Sequence, residues 1–164
     1  MSRKPASIGR RRHAARIAAV QALYQMELGG GVPDDVIAEF VAYRLRDEAA
    51  QAAIDLDLFS DLVRGATAGR ERTDQLIGDA LDKDRSLGRL EVLMRAILRA
   101  GAYELMARED IDAALTISEY VAVADAFFNE REPALVNAVL DRIARGLAGS
   151  KSSAGAAHGI AQDG

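Results

Sequence analysis

The chain contains no cysteine and no tryptophan, and only three of its 164 residues are proline. The missing thiols exclude disulfides, thiolate zinc sites and cysteine nucleophiles, and they suit a cytoplasmic protein. Aromatic residues make up 5% of a chain that is 49% hydrophobic, so its core has to be built from aliphatic side chains. No apolar run approaches the roughly 18–20 residues needed to cross a bilayer. The basic start is followed by an amphipathic stretch holding Arg16, Gln21, Gln25 and Glu27, not by the apolar segment of a signal peptide. The reading is a soluble intracellular chain with no membrane partner.

Catalytic signatures are equally scarce. Neither GxSxG, a Walker loop nor GxGxxG occurs, and the two histidines, His13 and His158, lack HxxxH or HExxH spacing. Asp79, Asp82 and Asp84 are close in sequence, but the segment lacks the glycine and terminal glutamate of a calcium loop. A solvated acidic loop is the simpler reading. Glu109, Asp110 and Asp112 read as a helix end and turn. We therefore expect no catalytic residue, no metal, no cofactor and no small-molecule substrate.

What the chain does have is a lopsided charge. Its first sixteen residues carry six cations (Arg3, Lys4, Arg10, Arg11, Arg12 and Arg16) and no acid, while the 148 that follow hold 15 basic and 25 acidic groups. Four of these arginines stand at or before the start of the first expected helix. Cations there oppose the half positive charge of a helix N-terminus, at a few tenths of a kcal/mol each, unless an anion arrives. Arginine's planar fork suits phosphate, and a basic arm ahead of a helix can track a nucleic-acid backbone. A solubilising tail is the plainer alternative. Tyr24, three to four turns on, is placed to stack a base, although a lone tyrosine is more often a core residue.

Long stretches of Ala, Leu, Arg and Glu predict an all-α fold of about seven helices. Residues 1–9 read as a disordered basic arm. Helices are expected over about Arg10–Leu28, stopped by Gly29-Gly30-Gly31 and Pro33, and from an Asp34 or Asp35 cap to Arg46. Further helices span about Glu48–Ala68 and Arg72–Leu81. The clearest is the stripe Leu90, Leu93, Met94, Ile97, Leu98, Gly101 and Leu105. Glu91 and Arg95 on its other face form an i,i+4 pair of favourable polarity. Gly101 costs about 1 kcal/mol against alanine, which a close helix crossing would justify. The last two helices cover about Thr116–Phe128 and the segment after Pro133 to Leu147. From Gly149 to Gly164 the composition predicts a disordered tail. Gly29–Pro33 and Asp82–Gly88 are the best internal breaks, which suggests two subdomains packed as one unit over 10–148. Asn137, among Val136, Val139 and Leu140, is read as a buried hydrogen-bonding tie in preference to a groove reader.

Several segments together resemble a known family. Val20-Gln21-Ala22-Leu23-Tyr24 behind the arginine arm looks like the VQALY signature of the NusB transcription antitermination factors. Ile97-Leu98-Arg99-Ala100-Gly101-Ala102-Tyr103-Glu104-Leu105 resembles that family's ILR-x-A-x-YEL helix. Ile117-Ser118-Glu119 and Val136-Asn137-Ala138-Val139-Leu140-Asp141 resemble its INEA and FVNGVLD segments, in order and spacing, over roughly residues 10–146.

The resemblance implies a compact helical fold of two subdomains and a non-catalytic function. The expected partners are boxA RNA of ribosomal RNA leaders, ribosomal protein NusE and the RNA polymerase antitermination complex. Family RNA contacts come from the arginine arm and first helix. Carried over and joined with the basic block, they are Arg10, Arg11, Arg12, His13, Arg16, Gln21 and Tyr24. Partner contacts are expected at Glu91 and Arg95, and at Phe127 and Leu135 on the rim. The chain departs from the pattern at His13 and Ala14 in the arm, and at Ser118, Tyr120, Phe128, Leu135 and Ala138. An alternative is a NusB-like RNA-targeting module that acts with a separate rRNA-modifying enzyme, such as a methyltransferase. A third is a purely structural helical adaptor.

Overall fold

The computed structural model describes residues 6–129 and 131–160, and these form eight α-helices and one short 3-10 turn with no strand. The first helix, α1 (Ile8–Gly29), begins two residues before Arg10 because the Ser7 hydroxyl accepts the Arg10 amide at 3.2 Å. That cap satisfies one of the orphan donors at a helix start. The helix stops where expected. Gly30 and Gly31 take φ of 78° and 110°, and the Gly30 amide donates to the Met26 carbonyl.

Helix α2 (Pro33–Arg44) has Pro33 in its first turn and Val32 at the cap position. Asp34 and Asp35 therefore sit in the first turn instead of capping it, where they complement the dipole. The single helix expected over 48–68 is two, α3 (Glu48–Ala52) and α4 (Leu56–Ala68). Asp55 separates them, accepting the Leu58 amide at 3.0 Å as a new cap. This split raises the helix count from seven to eight.

Helices α5 (Arg70–Ala80), α6 (Val92–Ala107) and α7 (Ala113–Phe127) follow, with the 3-10 turn Leu87–Arg89 before α6. The last, α8 (Arg131–Ile160), continues past the Gly149 boundary at which the composition suggests a tail. Propagating an existing helix is far cheaper than nucleating one, and alanines at 154, 156 and 157 help. Residues 1–5, including Arg3 and Lys4, and 161–164 lie outside the described part. No helix among the described residues is long and apolar enough to cross a membrane.

Two apolar clusters make the core. One joins Ala15, Ala18, Ala19 and Ala22 of α1 to α2 and α4 through Val36, Leu58, Phe59, Leu62 and Val63. The other joins α5 to α8 through Ile77, Ile97, Leu98, Tyr120, Val136 and Leu140, with Val20 of α1 inserted into it. Helix α1 is thus the shared wall. Because Ile77 and Ala80 belong to the second cluster, the division between subdomains falls near Gly69, not at Asp82–Gly88. Gly101 marks a tight crossing, as its position in the stripe implies: a Cβ there would meet Leu140 at 2.8 Å and Tyr120 at 3.4 Å.

Candidate nucleic-acid interface

The first turn of α1 contains no acid, and Arg10, Arg11 and Arg12 follow one another from its third residue. At 3.6 residues per turn, successive side chains rotate by about 100°. Arg10, His13, Ile17, Gln21 and Tyr24 consequently share one face of α1, whereas Arg11, Arg12 and Arg16 project away from it. Arg10 is exposed and makes no ion pair among the described residues. Tyr24 is 37% exposed. It is therefore not the buried core tyrosine that its type alone would suggest.

Arg11 and Arg12 are half-buried beside the start of α4. The Arg11 carbonyl accepts the Asp55 amide at 3.0 Å, and Arg12 Nε lies 3.9 Å from Asp55 Oδ2. Both Nε atoms are shielded from solvent and have no hydrogen-bond partner among the described residues.

Arg16 is a different matter. It is only 2% exposed, with Nε 3.0 Å from both Glu104 carboxylate oxygens and Nη2 2.6 Å from Oε1. Its other terminal nitrogen lies 3.4 Å from Glu119, and Tyr120 donates to Glu104 Oε2 at 2.7 Å. Burial by itself lowers the guanidinium's pKa, but the Glu104 hydrogen bonds and charge outweigh that and hold it above its ordinary value. Burial, reinforced by the Glu104 charge, pushes the Tyr120 hydroxyl well above the usual tyrosine range. Arg16 ties α1 to α6 and α7 and presents nothing to solvent. Its placement with the surface arginines is corrected accordingly. The sequence signal for this tie is a charge on each of two otherwise apolar stretches, Arg16 among alanines and Glu104 beside Leu105.

His13 stays at the edge of this network, with Nδ1 2.7 Å from Glu119 Oε2. One carboxylate therefore contacts both a surface imidazole and the buried arginine. Gln21 accepts a hydrogen bond from Arg44 of α2 at 3.0 Å, which joins the α1 face to its neighbour.

The expected partner residues are only partly gathered. Glu91 and Leu135 line one groove at the start of α6 and α8, together with Arg85, Arg89, Phe128 and Arg131. Phe127 is 40% exposed at the end of α7 but does not line that groove. Arg95 does not face it either. Its guanidinium donates to the Leu90 carbonyl at 2.8 Å and the Gly88 carbonyl at 3.3 Å, and lies 3.5 Å from Glu27. No Glu91–Arg95 ion pair forms, because Glu91 is the extended residue ahead of α6 (ψ 148°) and not on its helical surface. Asn137 is exposed, so it is no buried tie. Asp82 pairs with Arg142 at 3.1 Å, and no cluster of His, Asp or Glu among the described residues could hold a metal.

Comparison with known proteins bears on this surface. Residues 13–145 match the NusB family. The transcription antitermination protein NusB of Sinorhizobium fredii (strain NBRC 101917 / NGR234) is 46% identical over 153 residues, covering 92% of this chain and 96% of that protein. The protein of the same name from Nitrobacter hamburgensis is 49% identical over 142 residues, covering 82% and 86%. Among solved structures, T. maritima NusB superposes with a TM-score of 0.68 at 31% identity, covering 82% of this chain and 90% of that one. A crystal structure of antitermination factors NusB and NusE in complex with dsRNA gives a TM-score of 0.67 at 26% identity, covering 82% and 96%. With its helix order, its cationic first helix and a match spanning most of its length, this chain belongs to the NusB family.

Proposed function

We propose that the protein is a non-catalytic transcription antitermination factor that binds boxA-type RNA of ribosomal RNA leaders together with ribosomal protein NusE. It works in the cytoplasm, on the transcript emerging from RNA polymerase. The observation that carries this reading is the α1 face of exposed Arg10 and Tyr24 with half-buried His13 and Gln21, which starts at an electropositive helix end with no acid in its first turn. Arg11 and Arg12 sit half-buried at the same helix end, with Arg12 beside Asp55. Phosphates would neutralise the arginines and fix the register of the strand, and Tyr24 would stack on a base. Arg16 supports the site indirectly by holding α1 against α6 and α7.

The second surface, where Glu91, Phe128 and Leu135 line a groove, is the reading for NusE. A solved relative in complex with NusE and dsRNA supports pairing both partners with one such fold. Near-complete coverage of relatives named as antitermination proteins favours this function over a targeting module for a separate rRNA-modifying enzyme.

Titration of labelled boxA RNA, with and without NusE, tests the proposal. Contact with four to six phosphates gives a log–log salt slope of about −3 to −4. A slope near zero, or equal affinity for scrambled RNA with NusE present, contradicts it.

A further inference from the structure

Beside the RNA-facing side of α1 lies a second feature that this function does not use. Helices α1 and α2 enclose an open groove of about 210 Å³, lined by Gln21, Gln25, Glu39, Phe40, Tyr43 and Arg44. It is smaller than the roughly 300 Å³ of typical small-molecule pockets, so it has room for one flat ring but not for a whole cofactor. Its chemistry is unusual for a bare protein surface. Tyr43 is 66% exposed. The Arg46 guanidinium lies 5.8 Å from the Tyr43 ring centre, and that of Arg44 lies 5.5 Å from the Phe40 ring centre. Single exposed apolar residues need no explanation, but an exposed tyrosine, an arginine and two glutamines around one groove do, with Arg46 beside the tyrosine.

We propose that this groove receives one splayed-out base of the bound RNA, with Arg44 and Arg46 taking the flanking phosphates. The inference rests on the RNA-binding reading of α1 and extends it to α2. Continuity supports it: Gln21 belongs to the α1 face and also lines the groove, and Arg44 already hydrogen-bonds to it at 3.0 Å. A strand following α1 therefore reaches the groove without leaving the protein. Charge supports it too, because Arg44 lines the α2 side of the groove and Arg46 lies beside the Tyr43 ring. Single-stranded RNA is read by stacking unstacked bases on aromatic rings or guanidinium planes and hydrogen-bonding their edges. The Tyr43 ring offers the platform, and the two glutamine amides offer both donors and acceptors. Glu39 is the one carboxylate on the groove, and as an acceptor it selects a base with an exocyclic amine over uracil.

The test uses the full chain with NusE and a labelled boxA RNA, together with the same RNA made abasic at one position at a time. Tyr43→Ala weakens binding about tenfold, in line with the loss of one base–aromatic stack, and Tyr43→Phe restores it to within about twofold. One abasic RNA loses affinity with the wild-type protein and is then indifferent to Tyr43→Ala. That coupling is a signature a merely structural tyrosine does not produce. Arg44→Ala lowers affinity for every RNA and flattens the salt slope. If Tyr43→Ala binds all RNAs normally while Tyr24→Ala does not, the groove proposal fails and the α1 reading stands. If Tyr43→Ala reduces NusE affinity alone, the groove is a protein contact and the proposal is overturned. If the wild-type chain binds none of these RNAs, the α1 reading fails and takes the groove with it.

Discussion

Arg16 and Glu104 form a fully buried, doubly hydrogen-bonded ion pair across the α1–α6 contact, with relative exposures of 2% and 0%. Such a pair is expensive to desolvate and more expensive to break. Removing one partner leaves an uncompensated charge and costs about 3–5 kcal/mol. Arg16→Met should therefore lower the urea midpoint strongly, and pairing it with Glu104→Gln should recover much of the loss. A loss below about 1 kcal/mol would mean that the pair behaves like an exposed one. Because Arg16 is not at the surface, the folded fraction of Arg16→Met should retain the wild-type salt slope for RNA.

Arg10 gives the opposite pattern. Exposed and unpaired among the described residues, it should be replaceable by alanine with almost no change in stability. The expected effect is on RNA: the salt slope should fall in magnitude by about 0.7 for one lost phosphate contact on a single strand. Tyr24→Ala should leave that slope alone and reduce affinity through lost stacking, by about 1–3 kcal/mol. Identical slopes for Arg10→Ala and wild type would remove Arg10 from the site.

Gly101→Ala should destabilise despite alanine's better helix propensity. The gain is about 1 kcal/mol, but the new methyl would lie 2.8 Å from Leu140 Cδ1 and 3.4 Å from Tyr120. Overpacking of this kind costs about 1–3 kcal/mol. Combining Gly101→Ala with Leu140→Val should relieve part of the clash, which thermal unfolding of the single and double variants measures.

High pH should expose the tyrosine hydrogen bonds. Burial, followed by the Asp61 hydrogen bond at 2.6 Å, pushes Tyr103 up to about 12 from an ordinary value of 10.0. A folded-state pKa above the unfolded one means the protonated hydroxyl stabilises the fold. That contribution is complete below pH 10.0 and is lost as pH rises toward 12. Tyr103→Phe should begin less stable at neutral pH and decline less steeply over that window. Parallel stability curves for the two proteins would show that the hydroxyl contributes nothing.

Much of the helix pattern was legible because aliphatic periodicity and glycine punctuation are local signals. The Leu93–Leu105 part of the stripe and the Gly30–Gly31 stop follow from them directly, whereas Leu90 is extended and precedes α6. The misses came from side chains whose partners are distant in sequence or whose capping role competes with periodicity. Asp55 interrupts an apparently continuous helix because it caps a new one. Glu91 falls just outside α6, so a correctly spaced pair with Arg95 has no shared surface on which to form. Arg16 looks like one more cation of a basic arm until α6 brings Glu104 against it, 88 residues away. In the candidate site the helix face was readable from a 3.6-residue period, but the α1–α2 groove was not, because Tyr43 and Arg44 carry no motif of their own.

The shared position of α1 has a consequence for recognition. Alanines on one flank and Val20 on the other hold it between both apolar clusters. A helix clamped from two directions has little freedom to reshape itself. If α1 is the RNA-binding face proposed above, accommodation falls to the nucleic acid, and strands that bend readily into place should bind better.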